Sequence, residues 1–594
     1  MGSPEPVTPE LHHKGKYVHP GDVIRLFSSD ILKGVKVTFI NMPLRETALP
    51  NTAPLGPALL AARLRQYGAS PSIVDLNAYR IQDEIATKRG LPTGRLVTYD
   101  ESEELLAKHF RTHGDQHLVA FSGIITTLRW QEEVARMVKR LQPKALIATG
   151  NGLATEFKLG LLNWIPELNA VAHSEGDDSI IKMAYDAKVI HDMGFRSALL
   201  SGKLDPYFVA EIGGQPRFLY EGGRPADLDT IPFPAWDLLE EDVNGFRVFD
   251  FYLANPVWGG KSNNSSAAPF TMNRSATTVS SRGCPFACKF CYRGAQGERN
   301  YGVRSAGHLA EEIRWYVEKY GVDFIGISDD NFMVDPRRIA DLVPIMEPLV
   351  KDTGIRWGTH GRLDEAADMR PDRKNPGNFI VANDRRVDMM ARAGCVYIGF
   401  GAESADPVVL ELMGKGGFIL TNGTVKVNGF DFPRTMIEGV KNTKRSGIHG
   451  NCTWIMAYPG EKLEHLKTSV AFIKWQEEFY TQGQTPGTPE YEVHRDSVNR
   501  SMFTATAYPG TEMFKHPAVR KKLEENFKIT FDATTGEPNC DEHLRYYTLE
   551  LDDATKVLQD PDGNPLNFSE MPMDVFLQAR DYVDTGEIYK ILDM

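Results

Sequence analysis

The sequence predicts an α/β protein with two parallel sheets in succession: a Rossmann-like domain, a partial (β/α)6 barrel, and a helical C-terminal region. Three observations carry this. Short apolar strands alternate with amphipathic helices in two separate series, the pattern of parallel sheets covered on both faces. A stretch rich in Gly, Pro, Asn and Ser divides the two series. The chain has 594 residues, against ~100–200 for a typical domain, so more than one core is expected.

Taken in order, residues 1–30 form a polar N-terminal extension. Residues 31–195 form the first domain. Val35–Asn41 (VKVTFIN) reads as a buried strand ended by Pro43, and Leu55-Gly56-Pro57 opens a helix through Tyr67 with Leu59, Leu60 and Leu64 at helical spacing. Strand Ser72–Leu76, strand His117–Gly123, helix Thr127–Leu141, strand Ala145–Gly150 and strand Ala170–His173 continue the series. Residues 196–270, with Gly-Gly pairs, IPFPAWDLL and KSNNSSAAP, read as a connector.

Residues 271–515 resume the alternation as the barrel. Strands are expected at 277–280, 323–328, 355–359, 397–401, 452–457 and 501–507, and helices at 305–320, 336–350, 384–393, 433–446 and 462–479. Six strand–helix units suit parallel, right-handed connections. Residues 516–594, helical and polar, are expected to cap the barrel.

Composition narrows the function. With 42% hydrophobic and 25% charged residues, the chain is neither disordered, collagenous nor a disulfide scaffold. No apolar run approaches a membrane span of ~18–20 residues, and the N-terminus lacks a signal peptide's apolar segment. A cytoplasmic location is the expectation. Met1-Gly2 resembles the start of a lipidation signal, but Pro6 stands where Ser or Thr is required. A net charge of −12, from 67 basic and 79 acidic side chains, argues against a nucleic-acid partner.

Of six cysteines, Cys284, Cys288 and Cys291 fall in the run Ser281-Arg282-Gly283-Cys284-Pro285-Phe286-Ala287-Cys288-Lys289-Phe290-Cys291-Tyr292, after the first predicted barrel strand. That is the catalytic face of a barrel. Three thiolates can hold three irons of a four-iron cluster and leave the fourth open. A zinc knuckle would need a second Cys or Cys/His pair nearby, a disulfide an even count, and chance clustering a richer supply of cysteines. Cys395 and Cys452 stand at predicted inner strands and read as buried thiols or, less simply, a catalytic thiol; Cys540 lies in a polar tail.

The Cys-x3-Cys-x2-Cys run, with Phe290 before its last cysteine and Tyr292 after it, resembles the radical S-adenosylmethionine (SAM) family. Further stretches agree in order: Ile327–Phe332 (ISDDNF), Gly361-Arg362, Gly399–Ser404 (GFGAES), Trp454–Glu461 (WIMAYPGE) and Tyr508–Glu512 (YPGTE). The resemblance implies a [4Fe-4S] cluster on Cys284, Cys288 and Cys291 flanked by Phe290 and Tyr292. It implies SAM contacts from Ser328, Asp329 and Asp330 to the amino group, from Arg362, from Glu403 and Ser404 to the ribose, and from Met456 by the adenine.

Upstream, Pro54–Leu60, Val74–Asn77, Phe121–Gly123, Thr149–Gly152 and Ser174–Asp178 are similar to the cobalamin-binding domain of that family's cobalamin-dependent branch. Leu55, Gly56, Ser122, Gly123, Gly150, Asn151, Gly152, Glu175 and Gly176 are the implied cobalamin contacts. The Asp-x-His-x-x-Gly motif of domains that supply a histidine lower ligand is absent. Asp115-Gln116-His117 precedes a strand and ends at Ala120, so cobalamin without a histidine ligand is expected, its lower face left to loop 41–56 near Arg45.

The resemblance implies a methyltransferase. A 5′-deoxyadenosyl radical would activate a carbon or phosphorus centre of a small molecule or peptide, and cobalamin would supply the methyl group. An external one-electron donor such as a flavodoxin or ferredoxin would reduce the cluster. Relatives resembling the anaerobic magnesium-protoporphyrin ester cyclase share this architecture, so oxidative cyclisation or rearrangement stays open, and a non-catalytic cobalamin or iron–sulfur sensor is the reading of another class. Methylthio transfer would need three further cysteines in the first domain, and residues 1–283 contain none. Two stretches read as histidine-bearing strand ends, Thr359–Arg362 and His494–Asp496, are candidate substrate contacts, with Arg362 the better placed.

Overall fold

A computed structural model describes residues 17–46, 49–255, 272–292, 301–375, 378–551 and 557–594. The tract 261–269 and the Met1-Gly2 terminus lie outside them. The chain divides into two compact units. The first holds the described residues through Tyr252 together with those of 527–553, and the second holds most of the remainder.

The first unit is built on seven strands: β1 (Lys36–Asn41), β2 (Ser70–Asp75), β3 (Leu118–Ser122), β4 (Leu146–Thr149), β5 (Ala170–His173), β6 (Phe208–Ile212) and β7 (Gln215–Glu221). Their order is β2-β1-β3-β4-β5-β7-β6, and all neighbours are parallel except β6 with β7. Continuous apolar strands such as LIAT in β4 are buried along their whole length because helices cover both faces. Helix Leu128–Leu141 buries Leu128, Val134, Ala135 and Val138 on one stripe. Helix Tyr99–His113, not foreseen, starts from a capping box in which Thr98 and Glu101 satisfy each other's backbone N–H groups.

Two expectations change here. The stretch 196–270 is not simply a connector: it contributes β6 and β7, and Phe218 and Tyr220 are buried in the core. The N-terminal extension is tied in at its end, where Tyr17 and the backbone of Glu221 exchange hydrogen bonds of 2.8 and 2.7 Å.

The second unit contains β8 (Ser275–Thr278), β9 (Ser281–Arg282), β10 (Gly302–Val303), β11 (Phe324–Ile327), β12 (Arg356–Arg362), β13 (Met369–Pro371), β14 (Phe379–Val381), β15 (Cys395–Glu403), β16 (Thr424–Val427), β17 (Phe430–Pro433), β18 (His449–Met456) and β19 (Phe503–Thr504). Six of them form a parallel sheet in the order β19-β18-β15-β12-β11-β8, the half-barrel the sequence predicts. Pairs β9/β10, β13/β14 and β16/β17 are short antiparallel additions. The last strand keeps only Phe503–Thr504 of the expected 501–507, and His494–Asp496 belongs to helix Pro489–Asp496, not to a strand end.

The region expected to cap the barrel is divided. Helix Glu542–Glu550 belongs to the first unit, where Arg545 clasps Glu132 with bonds of 2.7 and 3.0 Å. Residues 557–594 return to the barrel unit, with Arg580 donating to the Met502 carbonyl at 2.6 Å. Among the described residues no helix is long and apolar enough to cross a membrane.

Candidate functional site

The cysteine run leaves β8 through a tight clasp. Asp329, 2% exposed, accepts from the backbone N–H groups of Ser280 and Ser281 at 2.6 and 3.0 Å and from both their hydroxyls at 2.6 Å. With Arg338 at 3.8 Å its carboxylate is fully engaged, which makes it a clasp for the loop and leaves little capacity for a ligand. Gly283 turns the chain at φ +77°, where a side chain would be strained. Lys289 ties the loop's middle to two segments: its N–H donates to Met413 and its carbonyl accepts from Met513, at 2.9 and 2.8 Å. A Cβ at Gly414, φ +67°, would stand 3.1 Å from the Ala287 carbonyl.

Arg362, at the end of β12, is the loop's cationic neighbour. Its guanidinium covers the Phe286 ring at 4.2 Å, points Nη1 at Cys288 Sγ from 3.7 Å, and is held by Asp364 at 3.1 and 3.2 Å. Burial raises the Cys284 thiol. Cys291, although exposed as a residue, has a thiol crowded enough that desolvation pushes it up to about 12, helped by the charges of Cys288 and Asp330. Glu403 and Tyr458 are also close enough to interact electrostatically with this loop. The ends of β11, β12, β15 and β18 therefore meet at the three cysteines.

The remaining predicted barrel residues separate by environment. Ser328 and Asp330 are exposed beyond β11. Glu403 has φ +65° and binds Lys415 Nζ at 3.1 Å. Ser404 is buried and hydrogen-bonded to Ser469 at 3.0 Å, and Met456 is fully buried, so both pack the core. Phe290 and Tyr292 are half-buried in the loop. Glu461 accepts from the N–H groups of Ala457 and Tyr458, holding Ala457 at φ +63°; burial pushes its carboxyl up to about 8. The Pro-Gly-Glu sequence disclosed that turn, but nothing marked Lys415 as the partner of Glu403. Cys395 and Cys452 are buried in β15 and β18, and Cys540 is exposed.

In the first unit the order 2-1-3-4-5 places a topological switch point between β1 and β3, where ligands sit beyond the strands' carboxyl ends. The loop after β1 is pinned there by Asn77, which accepts from Leu44 N–H at 3.0 Å, and Arg45 is exposed. Leu55 is half-buried and Gly56 exposed, and a Cβ at Gly56 would meet nothing within 4 Å. Gly150 is nearly as open, its nearest neighbour 3.8 Å away. Gly123 differs: a Cβ there would collide with Thr127 Oγ1 at 2.2 Å, so packing behind half-buried Ser122 requires glycine.

Asn151, φ +75°, accepts from Gly152 N–H at 2.6 Å; Glu175 is paired with Arg224, and a Cβ at Gly176 would stand 3.6 Å from Leu60. His117 sits just before β3, its Nδ1 accepting from Lys36 N–H at 3.1 Å, at the opposite edge of the sheet. Sequence reasoning passed over His173, buried at the carboxyl end of β5 with neither ring nitrogen hydrogen-bonded; desolvation lowers it to about 4.

Residues 278–473 match the radical SAM superfamily. An uncharacterized methyltransferase of Pyrococcus horikoshii is 24% identical over 532 residues, covering 87% of this chain and 90% of its own. Two solved structures share the fold. The cobalamin-dependent SAM radical enzyme OxsB superposes with a TM-score of 0.56 at 15% identity over 86% of this chain, which spans 63% of OxsB. The radical SAM methyltransferase TsrM of Kitasatospora setae gives 0.53 at 13% identity over 90% of this chain and 88% of its own. This chain thus carries a radical SAM domain over residues 278–473 and has the fold of the cobalamin-dependent radical SAM enzymes.

Proposed function

We propose that the protein is a cobalamin-dependent radical SAM methyltransferase acting on a carbon or phosphorus centre of a small molecule or peptide, with electrons from an external flavodoxin- or ferredoxin-type donor. The observation that carries the reading is the three-cysteine loop at the carboxyl end of a six-stranded parallel half-barrel, preceded by a sheet with an open switch point. The donor set fits the groups. Soft thiols suit iron–sulfur ligation. At the first sheet, among the described residues, a Cβ at Gly56 would meet nothing within 4 Å and one at Gly150 only Ala172, at 3.8 Å.

When bound, the cluster and SAM supply a radical that removes hydrogen from an unactivated position, and cobalamin supplies the methyl group. The protein's own residues position and shield. Arg362 sets a fixed positive charge against Cys288; Asp330 and Ser328 would offer polar groups to the amino end of SAM, and Glu403 would hold its ribose. Leu55, Gly56, Ser122, Gly150, Asn151, Gly152 and Gly176 line the proposed cobalamin cleft. Asp329, Ser404, Met456, Gly123 and Glu175 hold those loops in place.

The test is a methyl balance on anaerobically purified protein whose absorption spectrum shows cobalamin and cluster bands together. Label from the SAM methyl group is expected in the product. Substrate conversion without label would replace the methyltransferase with an oxidative cyclase or rearranging enzyme. Cys288→Ala should abolish 5′-deoxyadenosine formation, and unchanged SAM turnover in that variant would sink the radical reading.

A further inference from the structure

The barrel unit contains a half-open cavity of about 1240 Å³ that nothing above assigns. Its lining includes Phe286 of the cysteine loop, Glu365 of the helix after β12, Asn422, and Arg370, Asp372, Arg373 and Lys374 of the β13–β14 hairpin. The cavity's other acids are satisfied within the protein, Asp364 by Arg362 at 3.1 Å, Asp368 by Arg386 at 3.0 Å and Asp372 by the Asn375 amide at 2.7 Å. Glu365, with the Asn331 amide beside it, and Asn422 each keep one acceptor atom open. Glu365 is 9% exposed with no hydrogen-bond partner for Oε2, and Asn422 is 3% exposed with none for Oδ1.

A buried acceptor left without a donor costs roughly 1–3 kcal/mol, and such groups call for an explanation. Two in the lining of one cavity, both acceptors, ask for the same thing: a ligand that brings N–H. The exposed guanidinium groups of Arg370 and Arg373 and the ammonium of Lys374 make no ion pair among the described residues. They ask for an anion.

We propose that this cavity is the substrate site and that the substrate is zwitterionic, a small molecule or peptide end that presents an ammonium to Glu365 and Asn422 and a carboxylate or phosphate to Arg370, Arg373 and Lys374. The assignment rests on the radical methyltransferase reading, because Phe286 joins the cavity to the cysteine loop. The volume exceeds the ~300–1,000 Å³ of most small-ligand pockets, which suits a substrate larger than a single amino acid. Burial holds the Glu365 carboxyl near 7, and an ammonium partner would favour its charged form.

The experiment titrates the anaerobic holoprotein calorimetrically, without turnover, with triglycine and with ω-amino carboxylates from β-alanine to 8-aminooctanoate, beside their N-acetylated and methyl-ester forms. At least one zwitterion should bind, and capping either end should weaken it roughly tenfold or more, the value of a charge-assisted hydrogen bond. Glu365→Gln and the exposed-rim double variant Arg373→Glu, Lys374→Glu should each do the same, the latter without moving the unfolding midpoint. The proposal falls if no zwitterion binds, or if capped probes and variants bind as well as the parent. Zwitterion binding in a protein that converts its substrate without transferring label keeps the site and removes the methyltransferase reading. Methyl transfer indifferent to all these variants does the reverse.

Discussion

Asp329 and Glu461 show how single carboxyl groups hold the candidate site open. Asp329 receives four hydrogen bonds from Ser280 and Ser281, so Asp329→Ala leaves buried donors unmade and should cost about 3 kcal/mol or more. A urea-unfolding series measures it, and the iron-to-protein ratio should fall with it. Glu461, with its carboxyl raised from an ordinary 4.5 to about 8, holds its proton in the folded state over a range where the unfolded chain has lost it. Stability from this group is therefore fullest below pH 4.5 and declines at about 1.4 kcal/mol per pH unit as pH rises toward 8. Glu461→Gln keeps an acceptor for Ala457 and Tyr458 and should flatten that decline, overtaking the parent above pH 8 in thermal melts. The functional residues of this kind were legible as types. What Ser-Asp-Asp and Gly-Glu could not show was that Asp329 is consumed by the loop, because its partners Ser280 and Ser281 lie about fifty residues away and only the folded sheet brings them together.

At the scale of elements, the cysteine loop is cradled by the turn after the helix Pro407–Leu412. Gly414→Ala forces an unfavourable positive φ and presses on Ala287 and Lys289, so it should destabilise by about 1–2 kcal/mol and lower iron content. Gly417→Ala, three residues on with open space around it, should change neither. The six barrel strands were readable because each is an apolar run between helical patterns. Their ends were less so: β12 extends to Arg362 and β15 to Glu403 through glycines and charged residues that resemble loops, yet pair with their neighbours, β15 through a register shift between Gly401 and Glu403. The hairpin β13–β14 was missed for a physical reason as well. Its strands, Met369–Pro371 and Phe379–Val381, are three residues each and largely exposed, too short for periodicity to register, although they form a wall of the proposed substrate cavity.

At the scale of the whole chain, the two units are not consecutive segments. The chain leaves the first unit, builds the barrel, and returns helix Glu542–Glu550 to the first unit before finishing on the barrel. No local pattern could announce that return, since it depends on Arg545 meeting Glu132 from the far end of the sequence. Arg545→Ala strands a carboxylate that is only 6% exposed and should cost about 2 kcal/mol. Hydrogen exchange should report it as faster opening of helix Leu128–Leu141 in the first unit, with the barrel strands unchanged.

The double tie at Lys289 also sets an order of events during synthesis. The three cysteines emerge early, but one of the two backbone bonds that fix their loop waits for Met513, roughly two hundred residues later and ten seconds or more at ~5–20 residues per second. Until the sixth strand of the sheet has been made, the thiols hang from an unfinished scaffold. The loop's final backbone geometry is thereby set by the completion of the barrel and not by the appearance of its cysteines.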